Sequence, residues 1–93
     1  MLPMVDSMFT GGYGQVVAAI VAMRKSAGLT QRELAAALGR EQNFVGRIET
    51  GQRRVDLIEF LWICRACRAD PEAQVLKLIR NLSGIAPLRR RSR

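Results

Sequence analysis

The sequence predicts an all-α protein, a compact domain of five short helices. Three observations carry that reading. At 93 residues the chain is one domain's worth. Hydrophobic residues make up 48%, enough for a folded core and too many for wholesale disorder. From Gln15 to Gly84 the apolar positions recur with a helical period, and no segment of useful length alternates with the period of a strand. There is no internal repeat. Residues 1–14 are expected to form a flexible N-terminal arm, residues 15–84 the helical domain and residues 85–93 a basic tail.

Each element has a local signal. The arm contains Pro3, Gly11, Gly12 and Gly14, which hold regular structure poorly, yet Met4, Val5, Met8 and Phe9 make it partly apolar. It reads either as a loose terminus or as an arm that docks on a partner. In the first helix Val16, Ile20 and Met23 fall at i, i+4 and i+7, and Gly28 stops it after Arg24 and Lys25. Thr30-Gln31-Arg32-Glu33 is a capping box that starts the second helix, with Leu34, Ala35 and Leu38 on one face. Gly39 ends it after about two turns. A third short helix is expected over about Gln42–Thr50, with Val45 and Ile48 inward and Gly51 as its stop. Asp56 caps a fourth helix that carries Leu57, Phe60, Leu61, Ile63, Cys64 and Cys67. Asp70-Pro71-Glu72 starts a fifth, with Val75, Leu76, Leu78, Ile79 and Leu82 along it. Leu34, Ala35, Val45, Ile48, Leu57 and Leu61 are expected core by period.

Charge narrows the class of partner. Fifteen Lys and Arg face eight Asp and Glu, a net +7. Residues 24–54 hold seven bases against three acids, net +4, and residues 85–93 add another +4. Such a surplus favours a polyanionic partner, nucleic acid before an anionic membrane surface. There is no His, so nucleophile pairs and metal sites that need imidazole are excluded. Two cysteines at i, i+3 cannot fill a four-ligand site, and helix packing is their expected role. No catalytic group, metal or cofactor is expected. The longest apolar run, Val16–Met23, is far shorter than a membrane span. No basic start or small-residue cleavage site of a signal peptide is evident. The expectation is a soluble cytoplasmic protein.

Two short helices across a tight Gly turn are a helix-turn-helix arrangement, here about residues 30–50. Leu29-Thr30-Gln31-Arg32-Glu33-Leu34-Ala35, then Leu38-Gly39, then Val45-Gly46-Arg47-Ile48-Glu49-Thr50-Gly51 resembles the Cro/C1-type (XRE) helix-turn-helix family. The resemblance runs from about Val16 to Cys67. It implies a lambda-repressor-like DNA-binding fold whose third helix enters the major groove of double-stranded DNA. Gln42, Asn43 and Arg47 are then the candidate base readers, the amides suited to adenine and the guanidinium to guanine O6 and N7. Gln31, Arg32, Arg40, Arg53 and Arg54 are the candidate phosphate contacts. Arg24 and Glu49 stand where relatives form a salt bridge between the first and third helices. The implied activity is transcription regulation by a repressor that acts as a homodimer. Leu76, Ile79, Ile85 and Leu88 are candidate interface residues, and Trp62 reads as interface or core.

The sequence departs from the family pattern at three positions. Glu41 replaces the usual Ser or Thr cap, Gly46 stands where a polar reader is common, and Phe44 is large and apolar on a helix expected to be partly exposed. These departures support the competing reading, a helix-turn-helix turned toward a protein partner, such as an antitoxin or an anti-activator.

Overall fold

A computed structural model gives the architecture and describes residues 12–82. The arm up to Gly11, the tail arginines and the candidate interface residues Ile85 and Leu88 lie outside the described residues. Five helices follow in order: α1 Tyr13–Ser26, α2 Gln31–Ala37, α3 Phe44–Glu49, α4 Leu57–Ala66 and α5 Pro71–Leu82. The first helix starts at Tyr13, two residues before the expected start, behind Gly12 with a left-handed φ of 113°.

The expected caps form. The Glu33 amide donates to Thr30 Oγ1 at 3.0 Å and the Thr30 amide donates to Glu33 Oε1 at 2.9 Å. Asp56 and Glu59 close a second capping box at the head of α4, with distances of 2.8 and 3.1 Å. Each cap satisfies amides that an isolated helix start leaves without partners, and contributes about 1 kcal/mol. Gly39 and Gly51 end α2 and α3 in the left-handed region, with φ of 68° and 83°. Past each glycine the next amide reaches back to the last turn, Arg40 to the Ala35 carbonyl and Gln52 to the Arg47 carbonyl, both at 2.9 Å. A side chain at either glycine would be strained in that conformation.

Helix α4 ends the same way without a glycine. Arg68 takes a φ of 58°, and the Ala69 amide donates to the Cys64 carbonyl at 2.8 Å.

The core is built from α1, α2, α3 and α4, and α5 packs against α1 and α4. Ile20, Leu34, Val45, Ile48, Ile63 and Cys64 are completely buried. Full burial of such an aliphatic side chain stabilises by about 1.5–3 kcal/mol. Leu34, Ala35, Val45 and Ile48 are therefore core as expected, and Leu61 is half-buried. Leu57 is not: 66% of its surface is exposed. Helix α4 is apolar on nearly every side, and it turns the Phe60, Ile63, Cys64 and Cys67 stripe inward. Leu57 shares the side of Phe60 and Cys64, but it stands at the first position of the helix, where the core no longer covers it.

Both cysteines are buried and free. Burial, with Cys67 beside it, pushes the Cys64 thiol up to about 11, and burial also raises Cys67. Neither thiol is a nucleophile at neutral pH, and both serve as small apolar core residues. Among the described residues no group of acids and cysteines is placed to hold a metal ion. Among them, too, no helix is long and apolar enough to cross a membrane.

Candidate nucleic-acid interface

The two short helices α2 and α3 meet across the 38–43 turn and present one surface. Its foundation is the Arg24–Glu49 pair. Arg24 Nε donates to Glu49 Oε2 at 2.7 Å and its Nη2 donates to Oε1 at 3.0 Å, a two-pronged bond. The remaining Nη1 donates to the Leu29 carbonyl at 3.0 Å. One guanidinium thus ties α1 to α3 and to the loop before α2. The Glu49 hydrogen bonds outweigh burial and raise the affinity of Arg24 for its proton. Gln31 joins the network, its Nε2 donating to Glu49 Oε1 at 2.8 Å. The Gln31 carboxamide oxygen lies over Gly46, where an added Cβ would approach it to 3.3 Å. Gly46 leaves room for this side chain.

The candidate readers are exposed, but their setting differs from expectation. Gln42 and Asn43 precede α3 instead of lying within it. The Phe44 amide closes a turn onto the Glu41 carbonyl at 3.0 Å, and Arg47 is the first residue to donate four residues back, to the Asn43 carbonyl at 3.0 Å. Asn43 is the N-cap residue, and its side chain makes no capping bond. Glu41 is therefore not the cap. Its carboxylate stands 3.5 Å from Arg47 Nη1, with both side chains largely in solvent. Such a pair is worth little and is easily exchanged for another partner.

Phe44 is the larger correction. It is only 5% exposed and belongs to the core. Arg40 and Arg53 both lie over its ring, their guanidinium carbons 4.6 and 4.8 Å from the centroid. The apolar surface that the competing reading placed on α3 is thus absent at this residue.

Both arginines are also held by Glu59, a buried carboxylate on the first turn of α4. Arg53 forks onto it, Nη1 to Oε1 and Nη2 to Oε2, each at 2.9 Å. Arg40 Nη2 donates to the same Oε2 at 3.3 Å. The Arg53 bonds hold the Glu59 carboxyl below the usual carboxylate range, against the opposing effect of burial. Sequence reasoning missed Glu59. The spacing of Asp56 and Glu59 marks it as a capping-box partner, but nothing local connects it to Arg40.

Arg54 stacks on Tyr13, 4.4 Å from the ring centroid. The Tyr13 hydroxyl accepts from the Val55 amide at 3.1 Å and donates to the Arg53 carbonyl at 3.4 Å. The start of α1 therefore pins the loop after α3. Arg32 is exposed on α2. Leu76 and Ile79 are exposed on α5, and Leu57, Ile58 and Trp62 are exposed on α4.

Two short helices joined by a glycine turn, supported by three others, define a helix-turn-helix domain. The family profile for a helix-turn-helix domain matches residues 16–78. Among solved structures the chain is similar to an XRE-family like protein from Pseudomonas syringae pv. tomato str. DC3000. The two are 43% identical with a TM-score of 0.71, over 74% of this chain and 84% of that one. No curated protein matches the chain. The chain belongs to the XRE family of helix-turn-helix proteins, a family that is generally non-catalytic.

Proposed function

We propose that this protein is a sequence-specific DNA-binding transcription regulator, a cytoplasmic repressor that reads the major groove with α3 and the turn before it. The observation that carries the reading is the exposure of Gln42 and Asn43 in the turn before α3 and of Arg47 on α3 itself, with arginines on either side of that short helix. Gln42 and Asn43 can each offer a donor and an acceptor to an adenine edge, and Arg47 can exchange Glu41 for guanine. Gln31, Arg32, Arg40, Arg53 and Arg54 would contact phosphates on either side.

One reading helix covers few base pairs, so two copies are needed, with their helices about 34 Å apart along the duplex. The exposed Leu76 and Ile79 support a homodimer through α5.

Double-stranded oligonucleotides enriched from a randomised pool by the full chain would test this. The expected duplexes contain two related half-sites. Gln42→Ala with Arg47→Ala is expected to weaken binding a hundredfold or more, at about 1–3 kcal/mol per lost reading contact. Failure to enrich any sequence would reject the reading and return attention to a protein partner for this surface.

A further inference from the structure

Glu59 is an acid set beneath a basic surface. Simple electrostatics makes it a liability there, since a carboxylate near DNA phosphates repels them. Its geometry gives it a different part. It is buried, and its oxygens take the Arg53 fork at 2.9 Å while Oε2 also takes Arg40 at 3.3 Å. Arg40 lies in the turn that leads into α3, and Arg53 lies in the loop that leaves it. A single carboxylate therefore links the two ends of the reading helix.

Two guanidinium groups that share one oxygen and one aromatic ring would otherwise repel each other. With Glu59 between them they stand side by side. About a third of each arginine side chain remains exposed, 37% for Arg40 and 36% for Arg53. Arg40 commits one nitrogen to Glu59 and keeps further N–H groups free for an outside acceptor.

We infer that Glu59 is a positioning residue for DNA recognition: it fixes Arg40 and Arg53 as a paired clamp for backbone phosphates, and so sets the register of α3 in the groove. The inference rests on the proposed DNA reading. A clamp ordered in advance loses less side-chain freedom on binding than two loose arginines would. It also fixes where the phosphates sit relative to Gln42 and Arg47.

Glu59→Gln tests this by the sign of its effect. The substitution removes a negative charge and replaces one acceptor oxygen by a donor that faces the arginines. If charge alone mattered, the variant would bind all DNA more tightly. The clamp predicts at least tenfold weaker binding to the duplex enriched by the wild-type chain. Binding to a scrambled duplex of equal length should be unchanged or stronger. The slope of log affinity against log salt on the enriched duplex should be shallower by about 1–2.

A folded variant that holds the enriched duplex as well as wild type, or loses affinity for both duplexes equally, would overturn the inference while leaving DNA reading intact. Thermal melting establishes that the variant is folded. If Glu59→Gln does not fold, Arg53→Lys replaces it, keeping the charge and giving up the fork. A loss of at least fivefold on the enriched duplex alone is expected, and unchanged binding would overturn the clamp. If the wild-type chain enriches no duplex, the DNA reading fails and the clamp falls with it.

Discussion

Glu59 also couples the fold to acid. Its folded carboxyl stays charged below the pH at which an ordinary carboxylate takes its proton, because Arg53 and Arg40 hold the charge. The unfolded chain therefore binds this proton first as pH falls. The stability that Glu59 contributes is complete above the ordinary carboxylate value of about 4.3 and is lost as pH drops from there through its depressed folded value. Urea midpoints between pH 7 and pH 2.5 should fall steeply in the wild type below about pH 4. They should fall less steeply in Glu59→Gln. Equal acid limbs for the two proteins would remove Glu59 from this account. At this scale the sequence was legible where a bond is local and opaque where it is tertiary. Thr30 with Glu33, and Asp56 as a cap, are signals within four residues. Arg24 with Glu49 followed from family resemblance. Glu59 with Arg40 spans α4 and the turn before α3, and no spacing rule joins them. Phe44 was misread because the ring is covered by Arg40 and Arg53, charged residues expected to face solvent.

The helices themselves were announced by their ends. Thr30, Asp56 and Asp70 start elements, and Gly28, Gly39 and Gly51 stop them, because special backbone geometry demands special residues. Two things were hidden. Helix α3 has only six residues, too few for a period to separate an exposed Phe44 from a buried one. In helix α4 the period places Leu57 on the side of Phe60 and Cys64, so it was assigned to the core, but a period does not tell how far along the helix the core extends. The end of α4 carried no glycine signal either. Arg68 occupies the left-handed position that Gly39 and Gly51 fill elsewhere, at a cost of about 1 kcal/mol. Arg68→Gly should relieve that strain and raise stability by about 0.5–1 kcal/mol, part of the gain being offset by the freer unfolded chain. A lowered urea midpoint would contradict this, and would indicate that the Arg68 side chain makes contacts worth more than its backbone costs.

Across the whole molecule, polar and apolar work are separated. The α2–α3 side carries the readers and the arginines. Leu57, Ile58 and Trp62 on α4 and Leu76 and Ile79 on α5 form the exposed apolar residues. Leu61, Pro71, Val75, Leu76 and Ile79 line a shallow groove between those two helices. If α5 carries the homodimer, as proposed, Leu76→Asp with Ile79→Asp should give a folded monomer by sedimentation velocity. Its affinity for a two-half-site duplex should drop at least tenfold. A variant that still sediments as a dimer would move the interface elsewhere. The surplus of apolar positions along α5, more than a lone peripheral helix needs, made Leu76 and Ile79 visible as candidates. The exposure of Leu57 and Ile58 emerged only when the helices were assembled.

Trp62 gives this division of labour an optical consequence. It is the only tryptophan in the chain, it stands 47% exposed on α4, and it is the sole indole fluorophore. Its emission in a lone copy should be that of a wet indole. A second copy seated over the α4 and α5 residues would dry it and shift the emission to shorter wavelength. DNA held at α3 would leave it in place unless binding also brings two copies together. The unlabelled protein can therefore signal its own assembly state during a DNA titration, with the colour of one side chain separating pairing from reading.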